Sequence, residues 1–205
     1  MQGIKKLGYS FYSRKDVAKI AKELLGKILI TKFDSIITSG RIVETEAYAG
    51  IVDRASHAYG NRRTKRTEVM FADGGKSYVY LCYGIHYLFN IVTNKKEIPH
   101  AILIRALEPL QGIEAMLERT GKKIPYFSLT KGPGNVSKAL GISTHHTGRD
   151  LSGDEIYIAD DGFKLSKEDI LSTPRIGVDY AGEDAELLYR FILKENKYVS
   201  GSKHQ

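Results

Sequence analysis

Arg41-Ile-Val-Glu-Thr-Glu-Ala-Tyr48, followed thirty residues later by Tyr78-Val-Tyr-Leu-Cys-Tyr-Gly-Ile-His-Tyr87, decides how this chain is read. The first stretch reads as a β-strand carrying Glu44, Glu46 and Tyr48 at alternate positions. Alternate strand residues point to one face, so the three side chains line up together. Such a row is poor core material, because a buried carboxylate needs a partner or a function. The second stretch places four tyrosines within ten residues and ends its strand at Gly84. Together the two predict a pocket for a flat ligand with a carboxylate aimed into it.

Working outward, Ser13 with Asp16 reads as a capping box that opens a helix. Val17, Ile20, Ala21, Leu24 and Leu25 give that helix an apolar stripe, and Gly26 stops it. Strands are predicted over 27–31, 35–46, 77–81, 87–93 and 101–107, the last broken by Glu108-Pro109, with further strands around 155–158, 176–178 and 187–192. Helices are predicted over 110–119, closed by Gly121, and over 136–140 after Lys131-Gly-Pro-Gly-Asn135. With no repeat or linker composition, the economical architecture is a single α+β domain over 1–205. It has a curved, mostly antiparallel sheet flanked by helices, and a protruding β-hairpin.

The 205 residues suffice for one domain with a full core. The formal charge of +7 leans towards a polyanionic partner, although on net charge alone a merely basic surface is the simpler reading. Arg54, Arg62, Arg63, Lys65 and Arg66 fall within thirteen residues. Such a run is either a solvated loop or a loop that grips phosphates. The single cysteine, Cys82, excludes an internal disulfide and fits a reducing compartment. The N-terminal residues contain no apolar signal core, and no stretch is apolar enough to span a bilayer, so a cytoplasmic protein without membrane attachment is expected.

Arg105 stands in Ala-Ile-Leu-Ile-Arg-Ala-Leu, among core-strand residues. A guanidinium there requires a carboxylate, with Glu44, Glu46 and Glu108 the available acids. It is either a buried ion pair that fixes strand register or the group that orients a catalytic glutamate. Tyr48, Tyr80, Tyr83 and Tyr87 are ordinary sheet residues or ring surfaces for a ligand. Tyr83 is set apart by its place before Gly84, where a hairpin tip pushes it outward with Ile85 and His86, as a wedge for a stacked base step. His57 is a satisfied polar residue or a pocket wall, and Asn90 needs its amide satisfied or reads a ligand. His145-His146 lacks partners at metal-ligand spacing, so no metal site is expected. The loop 131–135 offers amides to a phosphate only as a weak signal.

Taken together, these segments closely resemble the alkyladenine (3-methyladenine) DNA glycosylase family. The matching residues are 41–48, Ser56-His57, 78–84, Asn90-Ile91, Leu103-Ile-Arg-Ala-Leu-Glu-Pro109, Gly132-Pro133 with Ser137-Lys-Ala-Leu140, and Arg175-Ile-Gly-Val178. The resemblance implies that Glu46 is the general base activating a water and that Arg105 helps hold that water and the carboxylate. Tyr48, His57 and Tyr80 would form the walls around a flipped base. Asn90 would exclude guanine's exocyclic amine, and Tyr83 would fill the gap left in the helix. Around that wedge, Ile85, His86, Arg62, Arg63, Lys65 and Arg66 are the expected DNA contacts. Where relatives can carry an aromatic or sulfur side chain beside the wedge, this chain has Ile85-His86.

The implied enzyme is a monofunctional glycosylase of base excision repair that acts as a monomer on double-stranded DNA containing damaged purines, without a cofactor. If the source is prokaryotic, it would be associated with the nucleoid. Two other readings are a non-catalytic module that binds damaged DNA and a hydrolase of free nucleosides using Glu44 and Glu46 as a pair. The second fits poorly, since two-carboxylate glycosidases place their acids across the scissile bond.

Overall fold

The computed structural model describes residues 3–201. Among them nine strands join one sheet: β1 (Lys5–Lys6), β2 (Ile28–Phe33), β3 (Ile36–Tyr48), β4 (Ser77–Cys82), β5 (His86–Thr93), β6 (His100–Gln111), β7 (Ile156–Asp160), β8 (Ile170–Thr173) and β9 (Arg190–Leu193). The helices are α1 (Tyr9–Tyr12), α2 (Val17–Leu24), α3 (Ile113–Thr120) and α4 (Pro133–Leu140). The main path of the sheet runs β1-β7-β2-β3-β6-β5-β4, and β9 adds to β3 with β8 outside it. Every pairing is antiparallel. The expected α+β class with its antiparallel sheet is the one observed.

β3 is the organising strand. One edge pairs with β6 along most of its length; the other is shared, with β2 opposite 36–41 and β9 opposite 44–46. The changeover coincides with two register irregularities that flank Glu44, one between its pairing with Ala106 and that of Ile42 with Leu107, the other between it and that of Thr45 with Ile104. Bulges re-aim side chains locally, and this one lies where the acids of β3 meet Arg105 of β6.

The strand alternation separates two environments. Thr45 and Ala47 face the helical layer, where the Thr45 hydroxyl donates to the Ala21 carbonyl of α2 at 2.9 Å. Ile20, Ala21 and Leu24 of α2, Val136, Ala139 and Leu140 of α4, and Phe89, Ile91, Ile102 and Ile104 of the sheet form one core. Each fully buried Leu or Ile there contributes roughly 1.5–3 kcal/mol. The opposite face, with Glu46 and Tyr48, is covered by the irregular segments 49–74 and 174–188.

Several boundaries differ from the sequence reading. Asp16, not Ser13, caps α2, accepting the Lys19 amide at 2.9 Å, because Ser13 is already used to close α1. β6 does not break at Glu108-Pro109 but continues to Gln111. Pro109 sits opposite Gly40 at a register irregularity, where a missing amide is tolerated. The following helix therefore starts at Ile113 rather than Leu110. Residues 176–178 form no strand, since the Ile176 amide donates to the Glu46 side chain instead of a neighbouring backbone. Strands β1 and β8 have no counterpart in the sequence reading.

Gly112 makes the turn from β6 into α3 with φ of 76°, and a Cβ built there would lie 2.3 Å from the Ile37 carbonyl oxygen. Both the left-handed backbone and the close approach exclude a side chain. Gly112→Ala should destabilise the fold by at least about 1–3 kcal/mol, read as a fall in urea midpoint at unchanged slope; an unaltered midpoint would refute the packing argument.

Candidate active site

Strand register brings the site residues into one transverse row. Glu46 pairs with Leu103, Leu103 with Asn90, and Asn90 with Tyr78, so four strands each place a side chain on the same line. Tyr48, Leu88 and Tyr80 flank this row. Above it opens a cavity of about 550 Å³, within the range for small-molecule sites. Its walls include Tyr48, His57, Arg66, Tyr78, Tyr80, Asn90 and Arg105. Tyr83 and His86 stand at the same cavity, as does the start of α4, from Gly132 to Asn135.

The aromatic walls are fixed against one another. His57 Nδ1 lies 2.8 Å from the Tyr78 hydroxyl, and the His57 ring meets Tyr80 edge-on at 4.6 Å between centroids. Burial pushes the Tyr78 hydroxyl up to about 12, so it carries its proton at neutral pH. Burial, with Arg66 and Arg62 nearby, lowers His57 to about 4, leaving the imidazole neutral. Asn90 donates from Nδ2 to two carbonyls, Tyr78 at 3.1 Å and Leu88 at 3.2 Å. Because neither carbonyl can donate, the amide orientation is determined, and Oδ1 is left for the other side.

The acids differ sharply in their surroundings, although both are fully buried. Glu44 receives Arg105 Nε at 2.9 Å, Arg190 Nε at 2.7 Å, and the Ser200 hydroxyl and amide at 2.9 and 2.7 Å. Three of these donors converge on Oε1 and the fourth, the Ser200 amide, reaches Oε2. Glu46 receives three: the Tyr48 hydroxyl at 2.8 Å and Arg105 Nη1 at 3.3 Å on Oε2, and the Ile176 amide at 2.8 Å on Oε1. One position therefore remains open, on Oε1; Glu46 does not itself line the cavity, but its three donors, Tyr48, Arg105 and Ile176, do. Tyr48 is held protonated, because burial and the adjacent Glu46 raise its pKa well above the ordinary value. Burial pulls the Arg105 guanidinium down, but Glu46 and Glu44 outweigh it and leave it raised.

Two other groups hold the site that sequence reasoning passed over. Arg175 grips Asp53 with contacts of 2.6 and 2.9 Å and donates to the Ala47 carbonyl at 2.9 Å and the Asp184 carbonyl at 3.0 Å. It thereby ties both covering segments to β3, and its guanidinium lies 4.9 Å from the Tyr48 ring centre. The signal for Arg175 was its place in Arg-Ile-Gly-Val; nothing near Asp53 marked it. Arg190 and Ser200 likewise carried no sequence cue.

At the hairpin tip, Tyr83 and Gly84 both have positive φ, at 50° and 73°, closing a tight turn in which Ile85 N–H donates to Cys82 O. Positive φ at both central residues is the primed form of turn, in which a tyrosine is strained; the strands pair Cys82 with His86 and leave Ile85 outside the ladder. Tyr83 is 91% exposed and Ile85 71%, so two apolar side chains project from the tip. His86 is braced differently: a Cβ on Gly134 would come within 2.8 Å of its Nδ1, so only glycine lets the imidazole lie on the start of α4.

Arg62, Arg63, Lys65 and Arg66 are all exposed on the segment beside the cavity. They are not equivalent. Arg63 is shared between Glu68 and Glu97, each at 2.7 Å, while Arg66 lines the cavity 5.8 Å from the Tyr80 ring centre. Among the described residues no His, Cys, Asp and Glu group is placed to hold a metal ion, and no helix is long and apolar enough to cross a membrane.

The profile of the family described as methylpurine-DNA glycosylase matches residues 10–197. The chain belongs to that family. As a member it is a DNA glycosylase, an enzyme of base excision repair. Relatives carrying the name "Putative 3-methyladenine DNA glycosylase" include one from Clostridium perfringens, 43% identical over 95% of this glycosylase and 98% of the relative. Another, from Clostridium acetobutylicum, is 46% identical over 95% and 97% of the two chains. A third, from Desulfitobacterium hafniense, is 44% identical over 96% and 99%.

The depressed His57 pKa has a definite sign in stability. The unfolded chain takes up a proton near 6.5 and the folded one only near 4, so this contribution is full above 6.5 and is lost as pH falls towards 4. At pH 5 the loss should be roughly 1–2 kcal/mol. Urea melts of the parent and of His57→Gln at pH 7 and pH 5 should show a smaller fall for the variant, and equal falls would refute a buried neutral imidazole.

Proposed function

We propose that this glycosylase is monofunctional, that it flips damaged purines such as 3-methyladenine, 7-methylguanine, hypoxanthine and 1,N6-ethenoadenine out of duplex DNA, and that it cleaves the N-glycosidic bond with a water activated by Glu46. The observation that carries the reading is the inequality of the two acids. Glu44 accepts four bonds, three of them from Arg190 and Ser200, which lie off the cavity, whereas Glu46 accepts three, each from a residue that lines it: Tyr48, Arg105 and Ile176. The attacking water has to be admitted there, between Arg105 and Ile176. Its proton passes to Glu46 as its oxygen bonds to C1′ and the purine departs with the bonding pair.

A base inside a stacked duplex is unreachable, so flipping precedes the chemistry and costs a few kcal/mol, less for a damaged pair. Tyr48, Tyr80 and the neutral His57 supply ring surfaces suited to a cationic alkylated purine. An imidazolium at position 57 would repel that cation; the neutral form does not. Asn90, clamped by two backbone carbonyls, cannot swing aside to make room for guanine's exocyclic amine. No lysine lines the cavity among the described residues, which favours water over an amine as nucleophile. On the DNA side, Tyr83 with Ile85 enters the gap left by the base, His86 lies behind them, and Arg62, Lys65 and Arg66 meet phosphates. Arg63 joins them only by giving up its carboxylate partners. The enzyme acts as a monomer in the compartment that holds the DNA.

Glu46→Gln should keep its affinity for lesion-bearing duplex while base release slows by about 10²–10⁴. Release of hypoxanthine, 1,N6-ethenoadenine and 3-methyladenine, followed by strand scission at the abasic site, measures this and the substrate range together. Parent-like excision by the variant would remove Glu46 from the mechanism.

Tyr83→Ser should weaken lesion-duplex binding by about tenfold, the scale of one lost stacking contact of roughly 1–3 kcal/mol, with no loss of thermal stability. Undiminished affinity and excision would strip Tyr83 of the wedge role.

A further inference from the structure

We infer that Ser200, on a strap of chain after β9, is a positioning residue for the glycosidic reaction: it sets the guanidinium of Arg105 and, through it, the water-activating carboxylate. The inference rests on the proposed role of Glu46.

The strap is seated by its neighbours. Val199 is buried in the main core, and the Tyr198 ring meets Phe127 edge-on at 5.2 Å. Ser200 itself is 7% exposed and sits inside the charged cluster. Its hydroxyl has both of its roles fixed. It donates to Glu44 Oε1 at 2.9 Å and accepts from Arg105 Nη2 at 3.2 Å. Its amide donates to Glu44 Oε2 at 2.7 Å, and its carbonyl accepts from Arg190 Nη2. One residue thus satisfies both oxygens of Glu44 and touches both arginines.

The consequence for Arg105 is geometric. Its Nε is held by Glu44, its Nη1 reaches Glu46 and its Nη2 is held by Ser200. A planar guanidinium anchored at three corners cannot rotate about its long axis. Removing the Ser200 hydroxyl frees one corner and leaves Glu44 with one donor fewer. Arg105 can then turn towards Glu44 and away from Glu46, whose contact, at 3.3 Å, is the longer of its two carboxylate contacts. A second link runs through Ile176: its side chain lies against Gly201, next to Ser200, and its amide holds Glu46. The strap therefore touches both groups that orient the base, without itself reaching the cavity wall.

Ser200→Ala is the test, with Ser200→Thr as the variant that restores the hydroxyl. Single-turnover release of hypoxanthine or 3-methyladenine from a duplex should slow by about tenfold in Ser200→Ala, the scale of one hydrogen bond to a charged group. The dissociation constant for the same duplex should stay within about twofold, and Ser200→Thr should recover most of the rate. In parallel, the Arg105 Nε–H resonance, identified by its loss in Arg105→Lys, should shift or broaden in Ser200→Ala and return in Ser200→Thr. A rate equal to the parent's, a rate loss matched by the same loss of affinity, or a protein that no longer melts cooperatively would each overturn the inference. An inactive parent would instead bring down the glycosidic reading; the Arg105 resonance then still decides whether Ser200 orders the guanidinium.

Discussion

Four charges buried on one face of β3 set the terms for the rest of the structure. Glu44 and Glu46 have no exposed surface, while Arg105 and Arg190 are nearly as deep. Removing one partner from such a cluster costs roughly 3–5 kcal/mol, because it strands the other charge in the interior. The sheet is arranged so that none is stranded. β6 brings Arg105 to one side of β3, β9 brings Arg190 to the other, and the irregular register around Glu44 turns the acids to meet them. Even the absence of a strand at 176–178 follows, since the backbone there is committed to a side chain rather than to a ladder.

The cavity is a by-product of the same face. A sheet surface carrying charges cannot be covered by an apolar helix, so irregular chain covers it instead, pinned by the Asp53–Arg175 pair. The helices pack on the other face, where the strand residues are aliphatic. Sheet residues thereby form the floor of the site, and irregular segments of the chain form its rim.

Much of this was legible in the sequence because β-structure has a short period. The alternation Glu44, Glu46, Tyr48 fixed which side chains of that strand share a face; that Tyr78 and Asn90 stand in the same row depends on the register of other strands, which the sequence does not carry. Tyr83 before Gly84 was readable as an exposed tip, though not its left-handed backbone. Arg105 was recognisable as needing a carboxylate, and it has two, Glu44 and Glu46. The contacts that escaped are those between residues far apart in the chain. Arg175 with Asp53 and Ser200 with Glu44 are separated by 122 and 156 positions, and no local pattern announces such a pair. Pro109 misled because a proline usually ends a strand, whereas here it coincides with a break in the ladder opposite.

The sharing of one edge of β3 between β2 and β9 also fixes when the site comes into being. Glu44 reaches Arg105 across 61 positions and Arg190 across 146. Closing such long loops is entropically late and slow, so a chain emerging from the ribosome holds its two acids long before either arginine has been made. The second half of β3 stays an unpaired edge on that side until nearly the whole sequence is available. A fragment that ends before β9 has the aromatic walls of the recess but lacks Arg190, and with it part of the charge balance that lets Glu44 stay buried.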